Sequence, residues 1–130
     1  MAKTQKKGGR KREKKNVTTG RINIRASFNN TVVTVTDPDG NALSWCSSGM
    51  RGFKGAKKGT AYAAGVATEA AVRKAMDSGL READIYSTGP GSGKEAAIRM
   101  VNNLGIRVRK IKDFTPVAHN GCRPKGRRRV

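Results

Sequence analysis

The residues best placed for chemistry lie between positions 88 and 95. Gly89-Pro90-Gly91-Ser92-Gly93-Lys94 joins a short β-forming stretch, Asp84–Thr88, to a helix-forming one. A phosphate-cradling loop needs G-x-x-x-x-G-K-[ST] in that setting. Its glycines let a phosphate reach the backbone, and the helix that follows turns unpaired N–H groups toward the anion. Gly93 and Lys94 meet the pattern, but Thr88 stands where the first glycine belongs and Glu95 where the magnesium-binding hydroxyl belongs. Gly91-x-Gly93-x-x-Ala96 spells a dinucleotide fingerprint, too late in the chain to leave a dinucleotide fold behind it. What survives is a general anion site: a nucleic-acid phosphate would suit Gly91, Ser92, Gly93 and Lys94 as well as a nucleotide would. The plainer alternative is a capped turn.

Other catalytic constellations are missing. The single histidine, His119, lies in a basic tail. Asp37 and Asp39 belong to a turn, and Asp77 and Asp84 flank a helix end. His119 and Cys122 are spaced like two metal ligands, but a zinc site takes three or four, and Cys46 alone does not complete it. No catalytic residue, metal or cofactor is assigned.

The elements that must carry such an anion site form one domain, because 130 residues support one and not two. Their charge is extreme, at +19. Residues 1–16 hold eight basic side chains and one acid, and residues 107–130 hold nine and one. Residues 17–106 are nearly balanced, with eleven against seven. So large a self-repelling charge calls for an anionic partner, nucleic acid before an anionic membrane surface. No apolar run approaches the roughly 20 residues that span a bilayer, and no apolar stretch follows the N-terminal charges as in a secretory signal. Two cysteines are too few for a disulfide framework, so a cytoplasmic protein with reduced thiols is expected.

Residues 1–16 have no apolar periodicity and read as a basic N-terminal arm. From Arg21 the pattern has period two: Ile22, Ile24, Ala26 and Phe28 form the apolar face of a strand. Asn29-Asn30 marks a turn, and the β-branched run Thr31–Thr36 a second strand. Asp37-Pro38-Asp39-Gly40-Asn41 is a reverse turn into a third strand, Leu43–Ser47. A glycine-rich basic loop, 49–59, leads to an alanine-rich helix from about Thr60 to Ser78, stopped by Gly79 and braced by Glu69 and Arg73 at i,i+4. After the strand Asp84–Thr88, Ser92 and Glu95 form a capping box for a second helix. Ala97, Met100, Val101 and Leu104 supply its apolar stripe, and Gly105 ends it. Ile106–Arg109 begins the last strand, with a phase shift before Ile111 that predicts a bulge. The order β-β-β-α-β-α-β predicts an α/β fold, a mixed five-stranded sheet flanked by two helices. The domain proper spans 17–114, and 115–130 form a basic C-terminal tail.

Four cationic elements follow from this division. The arm carries Lys11, Arg12, Lys14 and Lys15, and the glycine-rich loop carries Arg51, Lys54, Lys57 and Lys58. The third is the Gly89–Lys94 turn. The tail presents His119, Asn120, Arg123 and Lys125, then Arg127, Arg128 and Arg129. Arg21, Arg25, Arg107 and Arg109 add charge on the polar faces of the first and last strands. A basic run alone is often a solvated tail; a phosphate polymer accounts for all of these together. Aromatic residues make up only 5%, and no closely spaced set forms a stacking platform. Recognition of RNA by shape and phosphate is therefore expected over base reading.

The stretches Asn29-Asn30-Thr31 through Gly40-Asn41, Trp45–Gly49, Gly52-Phe53-Lys54-Gly55 and Tyr62-Ala63-Ala64 are similar to those of a known family. So are Gly89–Gly93 with Ala97-Ile98-Arg99, Asp113-x-Thr115-Pro116, and His119-Asn120-Gly121-Cys122-Arg123-Pro124. Over residues 17–130 the chain resembles bacterial small-subunit ribosomal protein eleven, departing from its usual pattern at Ala61, Gly65 and Thr88. The resemblance implies a ribonuclease-H-like fold with no enzymatic activity. It adds Asn29, Asn30 and Arg99 to the RNA-contacting residues. It implies a place on the small-subunit platform, bridging several helices of ribosomal RNA near the messenger RNA exit (Shine-Dalgarno) region. Ribosomal proteins seven and eighteen, messenger RNA and initiation factor three would be its partners, without a membrane. The alternative from composition alone is a nucleic-acid chaperone that binds without a fixed site.

Overall fold

The structure, a computed structural model, describes residues 16–129; the arm residues Lys11, Arg12, Lys14 and Lys15 lie outside the described residues. Five strands form one sheet: β1 (Thr19–Ala26), β2 (Thr31–Thr36), β3 (Ala42–Ser47), β4 (Glu82–Thr88) and β5 (Arg107–Asp113). Their spatial order is β3-β2-β1-β4-β5. β2 is antiparallel to both its neighbours, while β1–β4 and β4–β5 pair in parallel. The expected mixed sheet of five strands and two helices is the observed fold.

The parallel pairs require crossovers, and α1 (Ala61–Asp77) and α2 (Gly93–Asn103) supply them. Both helices pack on the same face of the sheet. Ile22 and Ile24 of β1, Val33 and Val35 of β2, Cys46 of β3 and Ile85 of β4 are buried there. They meet Ala67, Ala71, Val72 and Ala75 of α1 and Ala97 and Val101 of α2. Burying each large aliphatic side chain is worth about 1.5–3 kcal/mol. The alanines of α1 let its backbone approach the sheet closely. Its start is capped by Thr60, whose hydroxyl accepts from the Ala63 N–H at 3.3 Å. Glu69 and Arg73 form the expected ion pair at 2.6 Å.

Two expectations fail. Phe28 does not continue the buried face of β1 but is 77% exposed. The strand ends at Ala26, and a tight turn follows in which the Ser27 N–H donates to the Asn30 carbonyl at 2.8 Å. Period-two alternation holds only while the chain stays extended, and the turn puts Phe28 at its tip. The capping box of α2 also does not form. Ser92 makes no side-chain cap, and its hydroxyl donates instead to the Gly59 carbonyl at 3.4 Å. The neighbouring loop, packed against the helix start, takes the hydroxyl that would otherwise turn inward. The bulge in β5 is present: Ala83 pairs with Val108 and Asp84 with Lys110, so Arg109 is the extra residue.

Gly65 lies buried on α1, and a Cβ there would sit 3.6 Å from the Met100 methyl, an ordinary contact. Gly65→Ala should therefore stabilise the fold by about 0.5–1 kcal/mol, through reduced chain entropy and better helix propensity. Gly91→Ala should do the opposite, since its Cβ would meet the Ser27 carbonyl oxygen at 2.4 Å. Thermal melts of the two variants check both signs.

Candidate nucleic-acid interface

Four segments meet where β1 and β4 end: the turn 27–30, the loop 49–59, the turn 88–92 and the start of the C-terminal tail. Glycine makes the meeting possible. Gly89 has φ +101°, and a Cβ on it would fall 2.1 Å from the Ala26 carbonyl oxygen. Gly91 is as tightly placed, and its N–H donates to that carbonyl at 3.0 Å. A Cβ on Gly93 would meet Thr31 Oγ1 at 2.5 Å and Ala64 Cβ at 2.7 Å. The glycine pattern that resembles a phosphate loop thus serves backbone packing, and Gly91 and Gly93 are buried.

The loop 49–59 is not irregular throughout. It folds into two short 3-10 turns, Gly49–Arg51 and Gly55–Gly59. Phe53 meets Tyr62 of α1 edge to face at 5.9 Å, tying the loop to the helix. Arg51, Lys54 and Lys57 point their charges into solvent, while Lys58 is half-buried beside Gly49. Asn29 is exposed at the neighbouring turn, and the Asn30 side-chain oxygen accepts from the Thr31 N–H at 2.9 Å.

Lys94 does not stand alone. Its ammonium lies 2.7 Å from an oxygen of Asp113, whose other oxygen accepts from the Thr115 N–H at 2.9 Å and from the Thr115 hydroxyl. The Thr115 hydroxyl oxygen in turn accepts from the Gly89 N–H at 3.2 Å. Lys94, then the two Thr115 donors, hold the Asp113 carboxyl well below its ordinary value. This clasp fastens the root of the tail to the glycine turn. Residues 116–129 are exposed along their whole length, and the backbone turns left-handed at Asn120 and Gly121. His119, Asn120, Arg123, Lys125 and Arg127–Arg129 are therefore all accessible.

The other arginines are scattered. Arg21 and Arg25 project from β1 on the face without helices. Arg107 lies 3.5 Å from Glu82 and Arg109 4.0 Å from Asp84, toward the opposite end of the sheet. Arg99 is exposed on α2. Asp113 and Thr115 stand out in the sequence only through their Asp-x-Thr-Pro spacing, which does not reveal the clasp. Tyr86 and Phe114 are 28 positions apart yet stack in the structure, and only the pairing of β4 with β5 reveals it. Cys46 is buried and Cys122 exposed; among the described residues no group of three or more His, Cys, Asp or Glu could hold a metal. No helix among the described residues is long and apolar enough to cross a membrane.

A compact α/β body that turns basic loops and a long cationic tail outward belongs to the class of structural proteins built to meet a polyanion. The profile of ribosomal protein S11 matches residues 20–129, and the chain belongs to that family. It is 57% identical over 125 residues to small ribosomal subunit protein uS11 of Lawsonia intracellularis, covering 96% of this chain and 97% of that one. The uS11 proteins of Treponema pallidum strain Nichols and Synechococcus elongatus are 56% and 51% identical over 130 residues, covering both chains completely. The protein is thus a structural component of the small ribosomal subunit and not an enzyme.

The clasp has a pH signature. Because Asp113 is more acidic folded than unfolded, its contribution is full above about pH 4, where the unfolded carboxyl is also ionised. It is lost as pH falls below that toward the folded value. Asp113→Ala should speed hydrogen exchange at the Thr115 and Gly89 amides near pH 6, and the difference from wild type should shrink steadily below pH 4. A difference that does not change with pH would show that the carboxylate is not what holds the clasp.

Proposed function

We propose that the protein holds several ribosomal RNA helices together on the platform of the small subunit. The observation that carries this reading is the convergence of separate cationic segments on one end of a rigid sheet. The loop 49–59 is pinned by Phe53 on Tyr62, and the tail is rooted by Asp113 and Thr115. Segments fixed relative to one another can grip distinct RNA strands and set the angle between them, whereas a chaperone without a fixed site needs only flexible charge. The phosphate contacts would come from the exposed Arg51, Lys54 and Lys57, from the Asn29–Asn30 turn and from the tail. Lys11, Arg12, Lys14 and Lys15 would add theirs by charge alone.

In this reading its neighbours would be ribosomal proteins seven and eighteen of the small subunit, messenger RNA and initiation factor three, as the resemblance of its motifs implies. In this reading the tail, exposed from Pro116 onward, would reach toward the messenger RNA exit region. Its localisation would be cytoplasmic, within the ribosome. Gly91 and Gly93 would act indirectly, by letting the turn pack, and Lys94 would orient the tail through Asp113.

Affinity for ribosomal RNA should fall steeply with salt, with a log–log slope of about −0.7 to −0.9 for each phosphate contact. Removing residues 115–130 should flatten that slope by several contacts and lower incorporation into small subunits, measured by comigration in sucrose gradients. Normal incorporation of the truncated chain would exclude the tail from the binding role.

A further inference from the structure

Both helices cover the same side of the sheet, so its other face is open. Strand register aligns Trp45, Thr34, Asn23, Tyr86 and Lys112 in a single row across all five strands of that face. A second row places Val32 beside Arg25 and Arg25 beside Thr88. Along the rows Tyr86 and Phe114 stack, with ring centroids 5.3 Å apart and planes 20° from parallel. The Arg21 guanidinium lies 5.5 Å from the Tyr86 ring centre, and the Lys112 ammonium 5.6 Å from that of Phe114. Phe114 is 53% exposed and Trp45 54%, too much aromatic surface to be explained by the core. A shallow cleft runs between Arg21, Arg25, Tyr86 and Phe114 over a floor of Val32 and Thr34.

We propose that this open face binds a single-stranded RNA segment, one base stacking on the Phe114 ring as Lys112 swings from it to a flanking phosphate, with Arg21 and Arg25 holding further phosphates. The inference rests on the RNA-binding reading above and adds a site on the bare face of the sheet, beside the root of the tail. Charge complementarity selects the occupant. The acids of this face, Glu82 and Asp84, sit toward one end and are faced by Arg107 and Arg109. The cleft itself is cationic and excludes a basic protein segment. A duplex cannot fill it, because paired bases hide their flat surfaces within the helix. An unpaired strand exposes bases to aromatic rings and keeps its phosphates free for arginine.

The test uses the full chain with two probes, an unstructured RNA octamer and an RNA duplex, by fluorescence anisotropy at moderate salt. Phe114→Ala should weaken octamer binding by about fivefold or more, the effect of losing one base–aromatic stack, and leave duplex affinity within about twofold. Arg25→Gln, a surface change that spares the core, should flatten the octamer salt slope by about 0.7 and leave the duplex slope unchanged. Octamer binding unaffected by either variant overturns the site, as does equal loss for both probes. Wild-type binding to neither RNA would instead overturn the RNA-binding reading itself. In assembled small subunits, a photoreactive benzophenone at position 114 should capture RNA. Capture of a protein alone would assign this face to a protein neighbour and end the proposal.

Discussion

The close contact between the turn at Thr88–Gly93 and the end of β1 governs the end of this molecule where the loops and the tail converge. Two backbones lie so near each other that side chains at Gly89 and Gly91 would overlap the carbonyls of Ala26 and Ser27. From that contact α2 gains its starting point, wedged by Gly93 against Thr31 and Ala64. The same turn offers the Gly89 N–H to Thr115, so the tail leaves the domain from one place and in one direction. A helix, two loops and a tail are thereby referenced to a single junction. The proposed role of holding separate RNA strands at a set angle would need such a common reference, because tethered flexible charges would bind phosphate without fixing geometry.

The sheet is asymmetric, and that asymmetry divides the labour. One face is sealed by two helices, one of which contributes mostly alanines, so the core is thin and the backbones lie close. The other face keeps aromatic and basic side chains in the open. Charge follows the same division. The acidic residues are largely used locally: Glu69 on Arg73, Asp113 on Lys94, Glu82 near Arg107 and Asp84 near Arg109. The loop at 49–59 and residues 116–129 carry cations with no acid of their own. The body thus neutralises itself while the extensions remain free to neutralise a partner.

Much of this was legible in the chain. Alternation from Arg21 to Ala26 and the β-branched run at Thr31–Thr36 located strands because strand patterning is local. The spacing of Ala97 and Val101 located the buried face of α2 for the same reason. Phe28 misled because alternation cannot announce where a strand stops. Ser92 misled because a capping box is a local rule, and a neighbouring loop competed for its hydroxyl. The letters of Gly89–Lys94 spell an anion-loop pattern, whereas its glycines answer to steric crowding from residues some 60 positions earlier. Tyr86 and Phe114 could not be seen as a platform until β5 was laid beside β4.

The sequence by itself determined the class of fold, the division of charge between body and extensions, and membership in a ribosomal protein family. These depend on composition, periodicity and short motifs, all carried by residues near one another in the chain. Only the tertiary structure decided which face of the sheet stays bare, that Lys94 is committed to Asp113, and that the glycines serve packing. Those outcomes come from contacts between distant segments. Their steric and electrostatic terms exist only once strand order and crossover geometry have brought the partners within a few ångströms.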